Sequence, residues 1–154
     1  MEGKKVYGSV SEHREGGHHI MPIKDEERRQ IIKYRFEKAM EEMTEARDNA
    51  ALGHWSLAVN RLYYSALHTV SAVLLSHGIS PKSHSGAIML FGKEFISTGR
   101  LDESAGRLLA KLSSMRNTGD YDDCFDWSAD DVEPLFEPTE QFVKLLESIY
   151  FPQE

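Results

Sequence analysis

The chain has 154 residues and 17.5 kDa, with 40 % hydrophobic and 28 % charged residues and a formal charge of −7. That length and balance fit one soluble globular domain and exclude whole-chain disorder. A single cysteine, Cys124, excludes an internal disulfide framework and a multi-cysteine zinc cage, and it suits a reducing cytoplasm. The acids are gathered: nine lie between Asn117 and Val143 with no base among them, which leaves +2 for everything else. Arg61, Lys82, Lys93, Arg100, Arg107, Lys111 and Arg116 crowd the middle, so the net charge does not argue against a phosphate-bearing ligand. Leu62 to Pro81 is free of Lys, Arg, Asp and Glu, but His68, His77, several hydroxyls and Gly78 interrupt it. A buried bundle helix is the reading, not a membrane span.

Residues 1–22 are polar, Gly-rich and without period, and are expected to form a flexible tail ahead of a bundle over 23–151. No apolar stretch follows the N-terminal lysines, so no signal peptide is expected. From Asp25, Ile32, Phe36, Ala39, Met43, Ala46 and Ala50 step by 4, 3, 4, 3, 4, the seam of a helix packed at a shallow angle. Gly53 stops it. A second helix from about His54 to His77 is apolar nearly all round and belongs in the middle of the fold. Ser83 caps a third, shorter helix ending near Gly99, with Ile88, Phe91 and Phe95 inward. Asp102 caps a fourth, whose stripe is Leu101, Ala105, Leu108, Leu112 and Met115, and Asn117 to Trp127 reads as a loop. Ser128 and Asp131 have capping-box spacing ahead of a last helix carrying Val132, Leu135, Thr139, Phe142, Leu146 and Ile149. Pro138 must kink or restart that helix. No alternating strand pattern of useful length appears, so the fold class is an all-α up-and-down bundle of four to five helices.

Catalytic spacings are few. The paired Glu-x-x-His of a di-iron bundle is absent, and Ser83-His84-Ser85-Gly86 lacks the lysine of a phosphate loop, so neither a metal nor a cofactor is expected. Two features remain. Arg61, Tyr64 and His68 share one helix face by steps of 3 and 4; they also suit bundle side chains tied to neighbouring helices. Arg116 ends an apolar-striped helix just before Asp120 and Tyr121, where it could equally cap the last carbonyls or pair with Asp120.

The string Tyr63-Tyr64-Ser65-Ala66-Leu67-His68, then Leu74-Leu75-Ser76-His77-Gly78-Ile79, Lys82-Ser83-His84-Ser85-Gly86 and Arg116…Asp120-Tyr121-Asp122 resembles the HEPN superfamily, most of all its small stand-alone prokaryotic proteins. The likeness spans roughly Glu27 to Tyr150. It implies a helical bundle that forms a homodimer. Active members of that superfamily carry an arginine, four to six residues and a histidine, and cut RNA without metal; here Arg116 matches and Tyr121 holds the histidine position. Tyrosine titrates near pH 10 and is a poor base at neutral pH. The resemblance therefore implies a non-catalytic or weakly active module binding a nucleotide, RNA or partner in a toxin–antitoxin-like system. By analogy the partner is a minimal nucleotidyltransferase. The alternative is a metal-independent endoribonuclease with an altered Arg…Tyr motif. The candidate catalytic residues are Arg116, Asp120 and Tyr121, and the candidate nucleotide- or RNA-binding residues are Arg61, Tyr64, His68, Lys82 and His84.

Overall fold

The computed structural model describes residues 18–20, 24–121 and 126–153. Helix α1 (Asp25–Ala51) and helix α2 (Trp55–Ser76) form an antiparallel pair joined by a tight turn at Gly53. Strand β2 (Ile79–Pro81) follows, then α3 (His84–Phe91), which runs on into a π-helical turn (Gly92–Ile96). Helix α4 (Glu103–Tyr121), a short α5 (Ala129–Val132), a 3₁₀ turn (Glu133–Leu135) and α6 (Phe136–Tyr150) complete the bundle. Pro138 falls in the first turn of α6, where its missing N–H has no intrahelical partner to lose. The restart that proline demands is the 3₁₀ turn before Phe136.

The core follows from α2. Thirteen of its 22 residues are buried, because α1, α3, α4 and α6 all pack on it. On α1 the inward face is Ile32, Phe36, Ala39, Met43 and Ala46, the stripe expected from the sequence except that Ala50 is half-buried, with one addition, Glu42. On α3 and its π turn Phe91 stacks on Phe95 at 5.4 Å and meets Phe142 of α6 edge-on at 6.0 Å. On α4 the inward face is rotated slightly from the expected stripe: Leu109, Leu112 and Met115 are buried and Leu108 is half-buried. No described helix is long and apolar enough to cross a membrane.

Ile149, expected on the inward stripe of the last helix, is exposed, and two features of the secondary structure also differ from the sequence reading. A three-residue strand, β1 (His18–Ile20), pairs antiparallel with β2 in the register His18↔Pro81, His19↔Ser80 and Ile20↔Ile79. Three residues are too few to show a period of two, and proline is tolerated at the end of such a ribbon. The rest of the expected tail, and Cys124, lie outside the described residues. The second difference is that α4 continues to Tyr121, so Asn117 to Tyr121 is helix and not loop. Asn117, Gly119 and Asp120 are poor helix formers, a penalty of about 2 kcal/mol together, but Leu112 and Met115 anchor the helix in the core. The Trp127 indole N–H donates to the Met115 carbonyl at 3.0 Å and ties the following segment back to that helix end.

The caps act as expected. Ser83 Oγ accepts from Gly86 N at 3.0 Å at the start of α3. Asp102 Oδ2 accepts from Ser104 N at 2.9 Å before α4, and Asp131 Oδ2 accepts from both Ser128 N (3.1 Å) and Ser128 Oγ (2.8 Å) before α5. The Ser104 hydroxyl and N–H hold the Asp102 carboxyl below its ordinary value, and the Ser128 N–H and hydroxyl do the same to Asp131. Groups depressed in the folded state stabilise it above their unfolded pKa and lose that contribution as pH falls through the folded value. Acidification below about pH 4 should therefore weaken the fold. The double variant Asp102→Asn/Asp131→Asn, which keeps an acceptor at each cap, should show a shallower acid loss in urea titrations at pH 7 and pH 3. Parallel curves for the variant and the parent would refute the assignment.

Candidate functional site

The polar face of α2 divides between two neighbours. Toward α1, Glu42 is 2 % exposed and its carboxylate meets Arg61 and His68 of α2. Its Oε1 lies 2.6 Å from His68 Nδ1 and its Oε2 lies 3.5 Å from Arg61. His68 Nδ1 also faces the Tyr64 carbonyl at 2.9 Å, so both of its neighbours are acceptors and this nitrogen carries the proton. Arg61 is shared further: Glu45 lies 3.4 Å away and Asn60 Oδ1 accepts from it at 2.7 Å. A buried carboxylate is tolerated where cations and hydrogen bonds compensate it.

Toward α4 the partner is Arg116. Its guanidinium donates to the Tyr64 hydroxyl at 3.0 Å, across 52 positions of sequence, and to Asn117 Oδ1 at 3.4 Å. It lies over the rings of Tyr63 and Tyr64 at 5.5 and 5.6 Å. Arg61 lies over the Tyr64 ring at 5.1 Å. Tyr64 thus stands between the guanidinium groups of Arg61 on α2 and Arg116 on α4.

Arg116 opens onto a cleft of 430 Å³ between α4 and the start of α3. Lys82, Ser83, His84 and Ser85 form one wall, Arg116 and Asn117 the other, and Tyr63 and Ser113 contribute to the lining. The His84 ring meets the Tyr64 ring edge-on at 5.7 Å. Burial pushes the Tyr63 phenol above its ordinary value, against the opposing pull of Arg116, so it remains a neutral hydroxyl at pH 7. The cleft therefore offers two permanent cations, one imidazole and several hydroxyls, a set suited to a phosphate oxyanion. The apolar groove between α4 and α6 carries no such convergence of polar groups.

Of the residues singled out from the sequence, Tyr64, Lys82, His84 and Arg116 come together here. Arg61 and His68 share their face of α2 as expected but are occupied by Glu42. Asp120 and Tyr121 sit in the last turn of α4, four and five residues beyond Arg116, not on a following turn. Glu42, Tyr63 and Ser113 are site residues that the sequence did not single out. For Glu42 a signal existed, since it lies three residues after Ala39 and four before Ala46, on the apolar seam itself. Among the described residues no three His, Cys, Asp or Glu side chains gather as metal ligands.

Known proteins share this arrangement of sequence. The chain is 31 % identical over 123 residues to a "UPF0332 protein" of Thermotoga maritima, covering 80 % of this chain and 93 % of that one. It is 32 % identical over 116 residues to the protein named "Putative toxin MJ0142" of Methanocaldococcus jannaschii, covering 70 % and 79 %. A second protein of that organism, named "Putative toxin MJ0605", is 39 % identical over 64 residues, 42 % of this chain and 48 % of that one. The family model of the HEPN domain matches residues 32–149, which contain the whole of α2, α3 and α4 and all but the ends of α1 and α6. With both the helical bundle and the cleft inside that match, the chain belongs to the HEPN family.

Proposed function

We propose that this protein binds a phosphate-bearing ligand, a nucleotide or an RNA phosphodiester, in the cleft between α3 and α4, with little or no turnover, as the HEPN component of a toxin–antitoxin-like pair. The observation that carries this reading is the placement of Arg116, held by Tyr64 on the wall opposite Lys82 and His84. The names of the Methanocaldococcus relatives support the toxin-like context. A homodimer and a minimal nucleotidyltransferase partner belong to the same proposal. Catalysis is the weaker element, because Tyr121 replaces the motif histidine and His68 is engaged by Glu42.

The test is binding of ATP and of a short single-stranded RNA in EDTA, read by fluorescence anisotropy at several salt concentrations. The parent should bind. Arg116→Ala should weaken binding roughly ten- to a hundredfold, by removing a charge-assisted hydrogen bond of about 1.5–3 kcal/mol. It should also flatten the salt dependence by roughly 0.7 in log–log slope for each phosphate that Arg116 neutralises. No binding by the parent would remove the proposal.

A second reading is favoured by one specific observation. His84 shares the cleft with Arg116 and supplies an imidazole that could accept the ribose 2′-hydroxyl proton, with Arg116 offsetting phosphate charge. That reading is a metal-independent ribonuclease. It requires EDTA-resistant cleavage of transfer or total RNA that is lost in both His84→Ala and Arg116→Ala. Intact RNA with a folded parent protein excludes it.

A further inference from the structure

We infer that the Tyr64 hydroxyl is a positioning group that fixes the Arg116 guanidinium at the cleft before any ligand arrives. The inference rests on the phosphate-binding reading above for its consequence, and on the free protein's geometry for its content.

Arginine near a helix end has four side-chain torsions and every opportunity to sample many directions. Here the guanidinium donates to the Tyr64 hydroxyl at 3.0 Å and lies against two aromatic faces. Tyr64 is itself held on several sides. The Arg61 guanidinium lies over its ring at 5.1 Å, the Tyr63 ring meets it edge-on at 5.1 Å, and His84 meets it at 5.7 Å. Arg61 is in turn fixed by Glu42 and Glu45. The contacts run unbroken from a buried carboxylate on α1, across the face of α2, to the arginine of α4. Packing needs only the Tyr64 ring, since phenylalanine would make the same ring contacts. The hydroxyl is the one atom of Tyr64 that hydrogen-bonds Arg116, so its removal takes away that bond and leaves the packing in place.

Tyr64→Phe is therefore the test. Its melting temperature should match the parent's, while its affinity for the short RNA falls roughly three- to tenfold, the factor for re-ordering one rotamer-rich side chain on binding. On an Arg116→Ala background the same substitution should add no further loss, the signature of two residues acting as a unit. Parent-like affinity in Tyr64→Phe would overturn the inference and leave the phosphate reading standing. An equal loss on both backgrounds would also overturn it, because Tyr64 would then act without Arg116. A ligand-free measurement separates the two ideas: the guanidinium N–H resonances of Arg116 should exchange faster by NMR in Tyr64→Phe than in the parent. Unchanged exchange overturns the positioning role whether or not RNA binds.

Discussion

Alanine at Phe91 should destabilise the protein by about 3–5 kcal/mol, the range for emptying a fully buried aromatic site. For a chain of this size that corresponds to a fall in melting temperature of roughly 8–15 °C. The ring is 0 % exposed, stacked on Phe95 and edge-on to Phe142, so it joins the α3 segment to α6. Little can move into the gap, because its neighbours are themselves rings fixed by further contacts: Phe95 also meets His77 at 4.9 Å and Tyr150 at 5.4 Å. The consequence reaches the cleft, since α3 carries His84 and is preceded directly by Lys82 and Ser83. Ile88→Ala, at a half-buried position on the same helix, should show less than half the effect. Thermal melts followed by far-ultraviolet circular dichroism decide the matter. A fall of only a few degrees for Phe91→Ala would mean that α3 is not an integral part of the core.

Removing both partners of Glu42, in Arg61→Ala/His68→Ala, should cost roughly 2–3 kcal/mol, below the usual range for breaking a buried pair because both partners are partly solvated. The side chains of Arg61 and His68 are each 32 % exposed, whereas that of Glu42 is 3 % exposed. The loss comes from stranding a carboxylate that water cannot reach, more than from the attraction itself. A third substitution supplies the sign. Adding Glu42→Leu should recover part of the stability, because an apolar side chain of similar volume has nothing left to satisfy. If the triple variant proves less stable than the double one in urea titrations, Glu42 does not depend on these partners.

The same residues show how much of the site is legible in the amino-acid sequence. Arg61, Tyr64 and His68 lie on one face of α2 because the α-helical period places residues three and four apart side by side. That fact is local. Which of them faces which neighbour is not. The relative rotation of α1, α2 and α4 gives Arg61 and His68 to Glu42 and gives Tyr64 to Arg116, 52 positions away. No window of sequence holds that information, since it depends on how three helices settle against one another. The extension of α4 through Asp120 and Tyr121 is hidden for a related reason: weak local propensity is overridden by the anchoring of Leu112 and Met115.

By itself, the amino-acid sequence determined the helices and their order, the caps at Ser83, Asp102 and Ser128, the restart near Pro138, and the central place of α2. Each is set by short-range chemistry: side chains that bond their own backbone, rings that forbid a dihedral, and apolar residues repeating at the helical period. The tertiary structure alone decided that Glu42 is buried, that Arg61 and His68 serve it, and that Arg116 reaches Tyr64 at the edge of a cleft shared with Lys82 and His84. Those are contacts between elements distant in the chain, and they exist only once packing has fixed the distance and rotation between helices.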